Sequence, residues 1–164
     1  MKFLLILIIS ISFSMTGDEL AILMDNRESP NDISSELNME IINKKGRKRV
    51  SKIKSISKDN NSKQILWFLS PADDKGISYL KIEHKNQDDE IRLWLPAFKK
   101  IRRISSKKKA DSFMGSDLSY EDMTSRKIKD YNFSIIKEDL INEKSCYLLE
   151  SKPNGIKSEY SKHL

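Results

Sequence analysis

The sequence predicts a mainly β, antiparallel fold preceded by one short helix. From Ile33 onward, apolar residues alternate with polar residues at a period of two, which is typical of strands. Short stretches rich in Asn, Asp and Gly interrupt this alternation and predict turns. Helical spacing is found only just before Pro30. Because the predicted strands follow one another through short turns, their order is that of an antiparallel meander.

The first sixteen residues have the pattern of a secretory signal peptide. Lys2 precedes an apolar run over residues 3–9, which continues with serines and small residues up to Asp18. The run is shorter than the roughly 20 residues that a membrane-spanning helix needs. We expect cleavage after Ser14 or Thr16, which would leave residues 17–164 as one exported domain. The alternative is an uncleaved anchor or a buried helix. No Cys lies near the cleavage site, so we do not expect the protein to be a lipoprotein itself.

The elements of the mature chain follow from local patterns. Leu20, Leu23 and Met24 have helical spacing, and Pro30 closes that segment. Strands are predicted around 33–42, 50–57, 62–70, 77–84, 90–96, 98–104, 131–141 and 146–153.

Composition limits the classes of function. Lys and Arg together number 30 against 24 acids, for a net charge of +6. Lys far outnumbers Arg, as in the drift of an AT-rich genome, so the charge total says little about partners. The one cysteine, Cys146, cannot form an internal disulfide and is predicted to be a small buried residue in a strand. His84 and His163 have no metal-ligand spacing with it, and the glycines of the mature chain are too scattered to form a phosphate-binding loop. We expect no cofactor, no metal and no enzymatic activity.

Two of the predicted strands are apolar on both faces. In residues 65–69 and 91–95, bulky apolar side chains occupy successive positions. A sheet with one wet face should alternate more cleanly, so something apolar must cover the second face. The pattern leaves two explanations open, which are helices packed over the sheet or an apolar cavity for a lipid chain.

The segment 99–123 reverses its charge abruptly. Seven basic residues fall between Lys99 and Lys109, an apolar stretch follows at Phe113 and Met114, and then acids follow at residues 117, 121 and 122. The basic half alone resembles a nucleic-acid patch. An exported chain rarely meets nucleic acid, so we expect no nucleic-acid partner, and the bases would face anionic lipid head groups, an acidic partner or solvent.

Several motifs together resemble the outer-membrane lipoprotein-sorting family, the LolA-like proteins. They are Pro71 with Asp74, Lys75, Gly76 and Leu80; Trp94, Leu95 and Pro96; Arg102 and Arg103; the stretch from Ser112 to Asp117; and Tyr120, Glu121 and Asp122. The resemblance spans residues 33–162, and its most specific part is the Phe-Met-Gly-Ser-Asp to Tyr-Glu-Asp block.

This resemblance implies a fold, a location and a task. The fold would be a curved antiparallel sheet that forms an incomplete, half barrel with one or two short helices over its concave face. The protein would be a periplasmic chaperone-like carrier that makes transient membrane contact and binds lipid or lipoprotein acyl chains. The cavity-lining candidates are Leu66, Phe68, Leu80, Ile82, Leu93, Leu95, Phe113 and Met114. The alternative is a basic accessory protein that docks on a resistance-nodulation-division (RND) transporter without carrying lipid.

The family pattern also predicts further strands after residue 162, whereas this chain stops at Leu164. An unfinished sheet would expose an unpaired edge. We therefore expect a truncated or frameshifted copy, or a partner chain that completes the sheet, and the lack of turn chemistry at the end favours truncation.

The charge reversal itself predicts an internal clasp. Tyr120, Glu121 and Asp122 would open a short helical turn that folds back and pairs a carboxylate with Arg102 or Arg103. Phe113 and Met114 would then fill the apolar face of the sheet.

Overall fold

The structure, a computed structural model, describes residues 14–156 and 158–164. The chain divides into two compact units. One is formed by residues 28–127 with 157–159, and contains a six-stranded sheet. The other is formed by the described residues up to 27 together with 128–156 and 160–164, and contains a helix and a two-stranded sheet.

The six-stranded sheet is an antiparallel meander in which neighbours in sequence are neighbours in space. Its strands are β1 (Ile33–Ile42), β2 (Lys48–Lys58), β3 (Lys63–Ser70), β4 (Ser78–Ile82), β5 (Glu90–Leu95) and β6 (Lys100–Ile104). Strands β1 and β6 are the two edges, so the sheet is not closed into a barrel. The predicted mainly β, antiparallel fold is confirmed.

The register divides the side chains of this sheet between two faces. Ile53 pairs with Phe68, Leu66 with Tyr79, and Tyr79 with Leu93, so these side chains share one face, which we call the packed face. Trp67 and Trp94 both pair with Ser78, the neighbour of Tyr79 in β4. Successive residues of a strand point to opposite faces, so both tryptophans lie on the other face, which we call the tryptophan face.

A long connection covers the packed face. Residues 105–127, the covering loop, contain little regular structure and place Phe113 and Tyr120 in the same buried cluster as the core of the sheet. The turns that precede the loop use residues suited to positive φ, such as Asp59, Asn60 and Asn61 between β2 and β3.

The second unit joins a helix to a β-hairpin. Helix α1 (Gly17–Asp25) begins with a capping box in which Thr16 and Glu19 bond each other's backbone N–H groups. Strands β7 (Tyr131–Ile141) and β8 (Lys144–Pro153) pair antiparallel, and α1 packs on β7. Glycine is needed at position 17 because a Cβ there would lie 2.5 Å from the carbonyl oxygen of Phe133. The helix predicted before Pro30 is confirmed.

The predicted signal peptide falls largely on residues 1–13, which lie outside the described residues. Among the residues that are described, no helix combines the length and the apolar character needed to cross a membrane.

Candidate functional site

The packed face brings together most of the residues predicted to line a cavity. Leu66 and Phe68 of β3 and Leu93 of β5 are almost fully buried on it. Leu95, at the end of β5, is half-buried against the same cluster. These four positions therefore share one side of the sheet.

Two of the predicted lining residues lie elsewhere. Leu80 pairs with Ile65, and Ile82 pairs with Lys63, so both belong to the tryptophan face. The residues of β4 that point to the packed face are Tyr79 and Lys81, and both are almost fully buried. The eight predicted residues consequently do not share one face of the sheet.

The covering loop closes the middle of the packed face with aromatic side chains. The ring of Phe113 lies 5.4 Å from that of Tyr79 and 5.7 Å from that of Tyr120, and both contacts are nearly perpendicular. Edge-to-face contacts of this kind stabilise aromatic clusters beyond simple burial. Met114 packs against the same cluster with a positive φ of 52°. The middle of the packed face is thus occupied by the loop's own side chains.

Burial also affects the two tyrosines of this cluster. The Tyr79 hydroxyl is buried and has no hydrogen-bond partner among the described residues, and burial, aided by the nearby carboxylate of Glu83, raises its pKa. Burial likewise raises the pKa of Tyr120, which the Arg102 charge partly offsets. Both side chains therefore remain neutral phenols over the ordinary pH range, as an apolar cluster requires.

A charged network fastens the covering loop to the sheet. The Asp89 carboxylate, which is almost buried, lies 3.1 Å from Lys109 Nζ and 3.7 Å from Lys127 Nζ. Lys127 also donates to the carbonyl oxygen of His84. One carboxylate of the β4–β5 connection thus holds cations from both ends of the loop.

A second ion pair lies deeper under the loop. Lys81 on the packed face is only 1% exposed, and its Nζ lies 2.9 Å from the carboxylate of Glu83. The same carboxylate accepts the backbone N–H of Ser125 at 2.7 Å. A buried ammonium is tolerated only when it is paired, so Lys81 and Glu83 act as a unit.

The structure brings some of the residues of the predicted clasp close together. The loop folds back through backbone hydrogen bonds, from the Tyr120 N–H to the Asp111 carbonyl oxygen and from the Glu121 N–H to that of Lys109. The Arg102 guanidinium lies 4.0 Å from the Asp111 carboxylate. The pairing of an arginine with Glu121 or Asp122 stays a prediction.

The contacts seen for the other clasp residues point elsewhere. The Glu121 carboxylate accepts hydrogen bonds from Ser158 Oγ at 2.5 Å and from the Glu159 N–H at 3.2 Å. The Asp122 carboxylate accepts from the backbone and hydroxyl of Ser119. Arg103 lies on the tryptophan face, opposite Arg92. Glu121 therefore anchors the segment that follows β8.

The open end of the packed face lies on β1. Leu37 pairs with Ile53, and Met39 pairs with Ser51, so both side chains lie on the packed face. Leu37 is 44% exposed, whereas Met39 is half-buried against the core. Sequence reasoning assigned β1 to the sheet but not to the site, although its alternation at 37, 39 and 41 was visible. The apolar surface therefore continues past the covering loop to the edge of the sheet.

An apolar depression of about 410 Å³ also lies in the second unit. Ser14, Met15, Glu19, Ile22 and Leu23 line it at the exposed side of α1. None of the predicted cavity residues belongs to it.

Solved structures of other proteins share this fold. The fold matches a DUF1329 family protein from Desulfovibrio piger with a TM-score of 0.79 and 34% identity, over 89% of this chain and 64% of that one. It matches a domain from Vibrio parahaemolyticus, assigned as an outer-membrane lipoprotein-sorting protein, with a TM-score of 0.80 and 30% identity, over 89% and 63% of the two chains. A LolA superfamily protein from Nitrosomonas europaea matches with a TM-score of 0.58 and 18% identity, over 91% and 64%.

The open antiparallel sheet is thus that of the LolA-like proteins. A family model described as uncharacterized protein-like matches residues 60–164, more than half of the chain, so the chain belongs to that family. A comparison with curated protein sequences finds no match. The chain spans about 64% of the length of the solved structures that it matches.

Proposed function

We propose that this protein is a periplasmic carrier that binds the acyl chains of lipids or lipoproteins on the packed face of its six-stranded sheet. It would take part in outer-membrane lipoprotein or lipid sorting, and it would do so without covalent chemistry. Support comes from the LolA-like fold and from the lipoprotein-sorting assignment of the Vibrio parahaemolyticus domain. The signal-peptide pattern of residues 1–16 agrees with the periplasm.

The observation that carries the proposal is the apolar surface that the covering loop leaves uncovered on β1. Leu37 lies on the packed face beside Ile53. Ile53 belongs to the buried cluster that contains Phe113 and Tyr120 of the covering loop. An acyl chain bound along β1 would therefore pack against the existing apolar core of the sheet. Each methylene that it buries contributes about 0.8 kcal/mol, so a long chain can offset the cost of association.

The loop would then act as the wall of the site. Phe113 and Met114 fill the packed face from above, so an acyl chain that moved past β1 toward Leu66 and Phe68 would displace them. Of the eight lining candidates we retain Leu66, Phe68, Leu93, Leu95, Phe113 and Met114, to which we add Leu37 and Met39. Leu80 and Ile82 belong to the opposite face and are not part of this proposal.

Binding of dansyl-labelled undecanoic acid tests the site with a matched pair of variants. Leu37 and Val50 are 44% and 45% exposed on neighbouring strands, but Val50 lies on the tryptophan face. We expect Leu37→Asn to weaken probe binding about fivefold, because part of a leucine side chain's contact area is lost, and Val50→Asn to leave it unchanged.

Two results would contradict the carrier. One is a wild-type protein that does not bind the probe. The other is an equal loss of binding in both variants. The first result, in a protein that still associates with a transporter of the RND type, would leave the accessory role as the remaining candidate.

A further inference from the structure

We propose that the tryptophan face is a docking surface for the head-group region of an anionic phospholipid bilayer. This surface lies on the side of the sheet opposite to the proposed acyl site, and the proposal does not require that the protein carries lipid. It accounts for the second apolar face that the sequence shows in β3 and β5.

The first argument is the apolar content of this face. Across the strands, Trp67 pairs with Ser78, Ser78 with Trp94, and Trp94 with Ile101, so the two tryptophans and the isoleucine form one cross-strand row. Trp94 is 37% exposed and Ile101 is 63% exposed. Ile65 and Leu80 pair in the adjacent row and are half-buried. Large side chains this exposed, grouped on one face, indicate an interaction surface.

The second argument is charge. In the tryptophan row, Lys54 lies between Trp67 and Glu36. Lys52 lies two residues before Lys54 on the same face, and Arg103 lies opposite Arg92. Among the described residues, Lys52, Lys54 and Arg103 have no carboxylate within 4 Å. Other bases of the face are neutralised locally, as Lys48 is by Glu40. The face therefore keeps a positive charge beside its apolar row.

The combination selects one partner. Tryptophan is enriched at membrane interfaces because one part of its ring system is apolar and the indole N–H stays wet. Unpaired lysines and arginines near the same plane attract anionic lipid head groups. A protein interface would more often be depleted of lysine at its centre. An anionic bilayer surface therefore fits this face better than a protein partner does.

The protein supplies its own reporters for a test. Its only two tryptophans, Trp67 and Trp94, both lie on this face. Vesicles of phosphatidylcholine, alone or mixed with phosphatidylglycerol, can be prepared with brominated acyl chains that quench tryptophan at the membrane interface. We expect the full chain to show quenching and a blue shift with the mixed vesicles, weaker effects with phosphatidylcholine, and loss of both effects at high salt.

A charge-matched pair of variants makes the test specific. The double variant Lys52→Glu with Lys54→Glu should weaken partitioning to the anionic vesicles at least about 30-fold. The double variant Lys44→Glu with Lys45→Glu changes the net charge equally at an exposed turn and should have a much smaller effect.

An apolar pair tests the same surface without changing charge. Ile101→Ser should weaken partitioning about fivefold, whereas Leu140→Ser, at a residue of β7 that is 72% exposed, should not. Both are exposed positions, and a circular dichroism melt establishes that each variant is folded.

The proposal is overturned by any of three results. One is the absence of quenching by brominated phosphatidylglycerol vesicles. Another is an equal effect of the two lysine pairs and of the two apolar variants. The third is shielding of the tryptophans only when an envelope protein is added, which would assign the face to a protein partner. A protein that docks on vesicles but binds no dansyl-labelled fatty acid would contradict the carrier and leave this surface standing.

Discussion

The carboxylate of Asp89 accepts a hydrogen bond from the ammonium of Lys109 at 3.1 Å, although 20 residues separate them in the chain. Lys109 ends the dense basic run of the sequence, and Asp89 lies in the connection between β4 and β5. Part of the basic run therefore serves to fasten the covering loop to the sheet. Its remaining bases, such as Lys107 and Lys108, are exposed.

We expect Asp89→Asn to destabilise the fold by about 1 to 3 kcal/mol, because it weakens the bonds to Lys109 and Lys127 that hold the loop. The neighbouring Asp88 is exposed, so Asp88→Asn should change stability by less than about 0.5 kcal/mol. Urea unfolding of the two variants measures the difference. Equal stability of the two would show that the network does not hold the loop.

The same carboxylate should give stability a dependence on pH. Burial alone would raise the pKa of Asp89, but the hydrogen bond and charge of Lys109, with the His84 N–H and Lys127, outweigh burial and lower it. A carboxyl group with a depressed folded-state pKa contributes stability above its unfolded pKa and loses it as pH falls through the folded pKa. The free energy of unfolding should therefore decrease as the pH is lowered below about 4, and this decrease should be smaller in Asp89→Asn. Parallel curves for both proteins from pH 6 to about pH 3 would argue against this assignment.

Phe113 should be the residue of the covering loop on which stability depends most. It is buried between Tyr79 and Tyr120, so Phe113→Ala should cost about 3 to 5 kcal/mol. Leu118 lies in the same loop but is largely exposed, and Leu118→Ala should cost less than about 1 kcal/mol. Thermal and urea unfolding provide the comparison, and a small effect at Phe113 would mean that the loop does not close the packed face.

Glu121 should control the order of the segment after β8. Its carboxylate accepts hydrogen bonds from Ser158 and from the Glu159 N–H, so Glu121→Ala should speed amide exchange at residues 158 and 159. Asp117→Ala, at an exposed acid of the same loop, is the control. If the predicted clasp also exists, Glu121→Ala and Arg102→Ala should show a coupling energy in a double-mutant cycle. Additive effects would exclude the clasp but not the anchor.

Helix α1 should require glycine at position 17. A Cβ there would lie 2.5 Å from the Phe133 carbonyl oxygen, so Gly17→Ala must push the helix away from β7. The expected result is faster amide exchange in residues 17–25 at unchanged exchange in β2 and β3. Ile22→Ala, at an exposed position of the helix, should not have this effect. Unchanged protection of α1 in Gly17→Ala would mean that the helix does not pack on β7 as described.

The strands were predictable because their signal is local. Alternation at a period of two and turn residues that tolerate positive φ, such as Asn60 and Asn142, fixed the strand boundaries to within about two residues. The order of the meander followed from the short connections. The division into a six-stranded and a two-stranded sheet could not be predicted in this way. The break falls at the long covering loop, and no local pattern marks it.

The faces of the sheet were harder to predict. Leu80 and Ile82 looked like core residues, whereas their neighbours Tyr79 and Lys81 are the buried ones. Local hydrophobicity misleads here because Lys81 is buried only through its pairing with Glu83. Likewise, the partners of Asp89 are distant in sequence, and no spacing rule connects them. Because Leu80 and Ile82 looked more like core residues than Lys81 did, the predicted cavity residues came from both faces of the sheet.

The most direct measurement of the central claim is lipid extraction and mass spectrometry of the protein purified from the periplasm. The carrier predicts that phospholipid or lipoprotein acyl chains copurify with the wild-type protein and with Val50→Asn, and that much less copurifies with Leu37→Asn. Lipid-free wild-type protein, or a Leu37→Asn protein that retains as much lipid as Val50→Asn does, would contradict acyl-chain binding on the packed face.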